Sequence, residues 1–114
     1  MSGVSDDPVL VALENLVAAL KENLTASTAA IERAEQIAAL RKQGLGFAEI
    51  ADETGKPLVV ELITENLQRL RTAGAALRTA QAQALHDEGL TMDQIGELFG
   101  VTRQRVSAIL KRTV

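Results

Sequence analysis

Cysteine, tryptophan and tyrosine are absent from this 114-residue sequence, and its aromatic residues are two phenylalanines. Without cysteine, disulfide scaffolds, zinc knuckles and thiol nucleophiles are excluded, because each requires a sulfur atom. Histidine is scarce as well: His86 stands alone, which nearly excludes histidine-based metal sites. We therefore expect neither a metal nor a cofactor.

Groups that could carry out catalysis are equally sparse. No nucleophile–histidine pair, glycine-rich phosphate loop or carboxylate pair in an evident cleft can be assembled from the sequence. His86 is followed by Asp87 and Glu88 near a predicted helix end, where all three are expected to be solvated. The sequence therefore predicts a protein that is not an enzyme.

Long hydrophobic runs are missing too. No uncharged apolar run approaches the roughly 20 residues that are needed to cross a bilayer. The N-terminus contains Asp6 and Asp7, so it is acidic where a secretory signal would be basic. We expect an intracellular, cytoplasmic protein with no membrane partner.

The residues that are present favour helices. Apolar residues make up 46% of the chain, and with so few aromatics the core must be built from leucine, isoleucine, valine and alanine. Leucine and alanine are strong helix formers, whereas the β-branched and aromatic runs typical of strands are nearly missing. The sequence predicts an all-α protein with one small domain, or two very small ones that share an element.

Charge is unevenly distributed along a chain whose formal net charge is −3. Residues 1–66 contain eleven acids and five bases, whereas residues 67–114 contain four acids and seven bases. No acid follows Val101, although four basic residues do. A basic terminal segment on an acidic protein indicates a local contact with nucleic acid.

The N-terminal part is predicted to comprise a disordered tail over 1–7 and a helical dimerisation or interaction region over 8–56. Asp7 and Pro8 are typical of a helix start. The leucines and valine that follow at steps of three and four form a heptad seam: Leu10, Leu13, Val17, Leu20 and Leu24. One helix cannot bury this seam alone, so we expect a coiled-coil homodimer; the alternative is packing within the chain.

Two further predictions concern helix continuity. The hydroxyl-rich stretch 25–28 is a candidate to interrupt the first helix, in which case a second helix runs over about 29–43. Residues 57–88 are predicted to form one long connecting helix, or two helices with a joint near Gly74.

Residues 89–114 have the pattern of a helix-turn-helix around a turn glycine, Gly100. The small Gly96 should let the two helices cross closely, and Gly100 should accommodate the turn. Apolar residues occupy the five positions that form the wedge between such helices: Ile95, Phe99, Val101, Val106 and Ile109.

A diverged internal repeat precedes this segment. A shift of 45 residues aligns 44–51 with 89–96 and Gly55 with Gly100. Around Gly55, however, the wedge positions that follow Ala51 are polar. We interpret the first copy as a degenerate helix-turn-helix with a structural role.

The C-terminal segment resembles region four of bacterial primary-type sigma factors. The most specific part of the resemblance is Gly-Val-Thr-Arg-Gln-Arg-Val at 100–106, which is similar to the family's Val-Thr-Arg-Glu-Arg. It covers the C-terminal segment, and the other sigma regions, which bind core polymerase, are not recognisable. The resemblance implies a recognition helix over about 102–112 that enters the major groove of DNA.

The resemblance also implies roles for individual residues. Thr102 matches a helix-start threonine that can cap the helix and approach a phosphate, and Arg103 and Arg105 match two flanking arginines. Gln104 replaces the family's glutamate, and Ser107 begins a pair that replaces Arg-Gln. We therefore expect a preference for a different DNA element from the one that the family usually reads.

Helical spacing supports the same interface. It places Arg103, Gln104, Ser107 and Lys111 on one exposed side of the last helix, where arginine can pair with guanine and glutamine with adenine. Arg105 and Arg112 are expected to hold phosphates. The predicted DNA-binding residues are Thr102, Arg103, Gln104, Arg105, Ser107, Lys111 and Arg112.

Together these patterns predict a sequence-specific protein that binds double-stranded DNA. We expect a homodimeric bacterial transcriptional regulator or a chromosome-organising factor associated with the nucleoid. The alternative is a protein-interaction adaptor or anti-activator that binds another regulator through its acidic helices.

Overall fold

The computed structural model describes residues 7–55 and 58–111. These residues form five helices: α1 (Pro8–Lys42), α2 (Phe47–Thr54), α3 (Val59–Asp87), α4 (Met92–Phe99) and α5 (Arg103–Lys111). No strand occurs within the two described ranges, and the prediction of an all-α fold is confirmed. The predicted tail over 1–7 lies outside the described residues except for Asp7, and Arg112 lies outside them as well.

The first helix, α1, begins at a side-chain cap and continues without interruption. Asp7 Oδ1 accepts the backbone N–H of Val9 at 2.9 Å and of Leu10 at 3.4 Å, which caps α1 as the Asp-Pro pair predicts. α1 then continues through 25–28, so the predicted interruption there is wrong. Thr28 Oγ1 donates a hydrogen bond to the carbonyl of the preceding turn, at 2.9 Å from Leu24 O, instead of capping a new helix.

The connecting helix α3 is continuous as well. It contains 29 residues and passes through Gly74 without a joint, so the single-helix prediction is the correct one. A methyl group placed at Gly74 would meet nothing within 4 Å. Gly74 therefore lowers the helix propensity of α3, and it is not required for a close contact with any other described residue.

The chain divides into two compact units, and α1 and α3 each contribute residues to both. Unit 1 comprises Met1–Val17 and Thr72–Val114. Its core contains four residues that are at most 2% exposed, namely Ala82, Ile95, Val106 and Ile109. Six partly buried apolar residues pack against them: Leu85, Leu90, Met92, Phe99, Val101 and Leu110. This unit contains the predicted helix-turn-helix.

Unit 2 comprises Ala18–Arg71 and has a smaller core. Its buried hydrophobic residues in the described chain are Ala19 and Ile50. Within this unit α1 and the first part of α3 run antiparallel, because Asn23 contacts Asn66 while the preceding Glu22 contacts the later Arg69. The two asparagine side chains are hydrogen-bonded, with Asn66 Nδ2 donating to Asn23 Oδ1.

The two copies of the predicted repeat have a helix of the same length that ends in the same way. α2 and α4 each contain eight residues, and each ends at a glycine with positive φ, Gly55 at 74° and Gly100 at 69°. Beyond these glycines the copies differ, since the position that corresponds to buried Val106 is occupied by exposed Glu61. A polar residue at this position cannot complete an apolar wedge, which agrees with a degenerate first copy.

Candidate nucleic-acid interface

The first helix of the helix-turn-helix is held by a reciprocal cap. Thr91 Oγ1 accepts the backbone N–H of Gln94 at 3.2 Å, and Gln94 Oε1 accepts that of Thr91 at 2.8 Å. This capping box satisfies two N–H groups that a helix start leaves without partners. The Thr-x-x-Gln spacing of this capping box is visible in the sequence and is a signal for the start of α4 in addition to those given above.

The turn between the helices depends on two glycines for different reasons. Gly100 has φ 69° and ψ 34°, the left-handed conformation that glycine adopts without steric cost. Gly96 is buried, and a methyl group there would lie 2.8 Å from Val101 O. The close approach that Gly96 permits is thus to the backbone of the turn, with the second helix reached through Val106 Cγ2 at 3.6 Å.

The second helix, α5, presents different chemistry on its two sides. Val106 and Ile109 are 0% and 2% exposed and anchor α5 in the core of unit 1. Thr102 Oγ1 accepts the backbone N–H of Arg105 at 3.1 Å, so the predicted threonine cap is present. The other side of α5 carries Arg103 and other polar residues that face solvent.

An ion pair joins this exposed side to α4. Arg103 Nη1 lies 3.7 Å from Asp93 Oδ2, and the two side chains are 66% and 72% exposed. At such exposure an ion pair contributes about 0–1 kcal/mol, so Arg103 can leave Asp93 at little cost. Asp93, Glu97 and Arg103 also line an open depression of about 610 Å³ beside the turn.

The helix-turn-helix segment is similar to a known family. Residues 76–114 match the Sigma-70, region 4 family. The match begins within α3, earlier than the resemblance seen in the sequence, and it includes the core residue Ala82. Region 4 is a DNA-binding helix-turn-helix family and not a catalytic one, which supports DNA binding by this segment. Searches of curated proteins and of solved structures found no match.

Within the segment that matches region 4, most of the predicted DNA-binding residues lie at the surface. Five of them are exposed: Thr102, Arg103, Gln104, Arg105 and Lys111. Ser107 is half-buried beside Val106, so it offers less surface than the helical spacing predicts. Asp93 was missed as a neighbour of Arg103, because ten residues and a turn separate them and the contact exists once the helices have packed.

The residues predicted for dimerisation belong to both units. In unit 1, Leu10 is half-buried while Leu13 and Val17 are 38% and 48% exposed. In unit 2, Leu20 and Leu24 are 46% and 71% exposed. The seam is therefore largely left uncovered by its own chain.

Neither a metal site nor a membrane span is found in the described part of the chain. No three histidine, cysteine, aspartate or glutamate side chains come together there in a way that could hold a metal ion. No described helix combines the length and apolar character that crossing a bilayer requires.

Proposed function

We propose that this protein is a sequence-specific double-stranded DNA-binding protein whose helix α5 enters the major groove. The observation that carries the proposal is the two-sided character of α5. Val106 and Ile109 fix its inner side in the core, while Arg103 and Gln104 remain exposed on the outer side. A major groove of about 12 Å in width admits such a helix with its polar side toward the base edges.

The exposed residues divide between base recognition and phosphate contact. Arg103 and Gln104, in the first turn of α5, are proposed to read base edges, with Ser107 and Lys111 continuing along the same side. Thr102 and Arg105 are proposed to contact phosphates together with Arg112. No acid lies in the first turn of α5, so the partial positive charge of the helix start is available to a phosphate.

We also propose that the protein acts as a homodimer, either as a bacterial transcriptional regulator or as a chromosome-organising factor in the nucleoid. Two copies would present two recognition helices to half-sites about 34 Å apart, or a multiple of that distance. The exposed leucines of the heptad seam support association between chains.

A second candidate is an adaptor or anti-activator that binds another regulator. Exposed acids on α1 and α2 favour it, because they include Glu32, Glu35, Asp52 and Glu53 and repel DNA. This candidate requires that no duplex be bound while a protein partner is recovered in stoichiometric amount. The region 4 match favours DNA binding over it.

Selection of bound duplexes from a random pool tests the proposal, followed by affinity measurements on the selected sequence. We expect the combined change Arg103→Ala and Arg105→Ala to weaken binding at least tenfold, and Gln104→Ala to relax the preference at one base position. Lys42→Ala, an exposed cation at the end of α1, is the control and should leave affinity unchanged. Unaltered binding by the double variant would show that α5 is not the DNA-contacting surface.

A further inference from the structure

Unit 2 exposes more of its large apolar side chains than it buries. Phe47 and Leu58 are exposed in this unit, and so are six side chains on α1 and α3. These six, here called the apolar face, are 46–72% exposed: Leu20, Leu24, Ile31, Val60, Ile63 and Leu67. The buried hydrophobic residues of the described part of this unit are Ala19 and Ile50. A unit of this size with so small a core lacks the apolar burial that stabilises independent domains.

The residues of the apolar face on α1 lie on one side of the contact between α1 and α3. Asn23 marks the contact line on α1, and Glu22 lies on the flank that carries the ion pair with Arg69, at 3.2 Å. Because successive residues are rotated by roughly 100° around a helix, Leu24 falls on the opposite flank. Leu20 and Ile31 share that flank, since they are separated from Leu24 by four and seven residues.

The residues of the apolar face on α3 also lie on the flank of their helix that is opposite the ion pair. Asn66 marks the contact line, Arg69 lies on the ion-pair flank, and Leu67 and Ile63 lie on the other flank. The two helices run antiparallel, so the flanks opposite the ion pair lie on the same side of the pair. The apolar residues of α1 and α3 therefore form one continuous surface instead of two separate stripes.

We infer that the apolar face binds the apolar face of a second copy, so that two antiparallel helix pairs form a four-helix bundle. This inference rests on the proposed homodimer and specifies its interface. It differs from the heptad seam in that α3 supplies half of the surface, and the α1 part begins at Leu20 within unit 2.

The area of the apolar face suits a dimer of this chain. A fully buried aliphatic side chain corresponds to about 100 Å² of apolar surface, so the six partly exposed side chains present on the order of 350 Å² per copy. A standard interface buries about 800 Å² per partner, of which roughly 60% is apolar. The largest apolar patch of a soluble monomer measures about 300–600 Å² and is often functional, and the apolar face falls within this range.

The charges around the apolar face also permit a two-fold contact. Helical spacing places Lys21 and Glu35 on its α1 edge and Arg71 on its α3 edge. Both signs are present, so a second copy does not bring together charges of a single sign. A nucleic acid or a uniformly charged peptide carries charge of one sign and would meet charges of both signs around this surface, so it would not be attracted to the surface as a whole.

Sedimentation of the full chain between about 1 and 100 μM tests the inference. Leu24→Asp places a charge on the apolar face at a side chain that is 71% exposed, so the chain itself loses little packing. Ala29→Asp is the matched control, an exposed position on the ion-pair flank of the same helix. We expect a dimer for the parent and for Ala29→Asp, and at least a tenfold weaker dimer for Leu24→Asp.

Thiol labelling provides a second measurement that does not depend on a disruptive charge. The chain has no cysteine, so Val60→Cys or Glu65→Cys carries a single thiol, on and off the apolar face respectively. We expect maleimide to react with Val60→Cys at least tenfold more slowly at 100 μM than at 1 μM protein, and with Glu65→Cys at the same rate at both concentrations.

Three results would overturn the inference. They are a monomeric parent up to 100 μM, a dimer that Leu24→Asp leaves intact, and labelling of Val60→Cys that does not slow with concentration. A monomer that recruits a different protein through this face overturns it as well. The variant with both Arg103→Ala and Arg105→Ala should remain dimeric, so binding of DNA by this dimer with the parent's affinity would contradict the proposed function and leave the interface standing.

Discussion

Replacement of Gly96 by alanine tests the geometry of the wedge directly. Gly96 lies inside α4, where alanine is intrinsically favoured over glycine by about 1 kcal/mol. The new methyl group, however, would lie 2.8 Å from Val101 O. That oxygen belongs to the backbone of the turn, and the N–H of the same residue donates to Gly96 O at 2.9 Å, so the turn cannot withdraw without straining its own hydrogen bond.

The magnitude follows from the balance of these two effects. Forcing an extra methyl group into a packed site costs about 1–3 kcal/mol, and the upper part of this range applies when the obstacle is backbone. After the gain in helix propensity, Gly96→Ala should lower the free energy of unfolding by about 2 kcal/mol. For a domain of 60–100 residues this corresponds to a decrease in Tm of roughly 8–16 °C.

Gly74→Ala is the matched control for this experiment. It makes the same change inside α3, but its methyl group meets nothing within 4 Å, so helix propensity alone should act and stability should rise by up to about 1 kcal/mol. Thermal and urea unfolding followed by circular dichroism measure both variants. If Gly96→Ala were as stable as the parent, the turn would not approach α4 as described, and the placement of α5 would lose its support.

Three further changes test the core, the cap and the ion pair. Ile109→Ala should lower the free energy of unfolding by about 2–5 kcal/mol because it empties a buried site, whereas Leu98→Ala, at a side chain that is 65% exposed, should lower it far less. Equal losses of stability in chemical denaturation would contradict the assigned core. Thr102→Ala should lower the free energy of unfolding by about 1 kcal/mol through loss of the α5 cap, and Thr102→Ser, which keeps the hydroxyl, should lower it little. A melting curve of the alanine variant that matches the parent's would mean that the cap does not contribute to stability. Asp93→Asn should raise DNA affinity up to about fivefold at low salt by releasing Arg103 and removing a negative charge, and this gain in affinity should shrink at high salt. Weaker DNA binding by the variant in a filter or anisotropy assay would contradict this expectation and indicate that Asp93 holds Arg103 in the orientation that binds DNA.

Local patterns in the sequence determined a large part of this protein. The alanine- and leucine-rich composition, the Asp7-Pro8 start and the glycine punctuation predict helices and their ends, because these signals act through neighbouring backbone groups. The helix-turn-helix was recognisable for the same reason. Its wedge positions follow from fixed spacings around Gly100, and Val106 and Ile109 are buried as those spacings require.

The tertiary structure decided what depends on contacts between distant residues. Hydroxyl groups at 25–28 were compatible with a cap or with bonds back into the helix, and the continuous α1 shows the second outcome. The pairing of Arg103 with Asp93 and the common side shared by Leu24 and Leu67 arise from how helices pack, which sequence spacing within one helix cannot specify. Periodicity identifies an apolar stripe, whereas the neighbour that covers the stripe or leaves it exposed is determined in three dimensions.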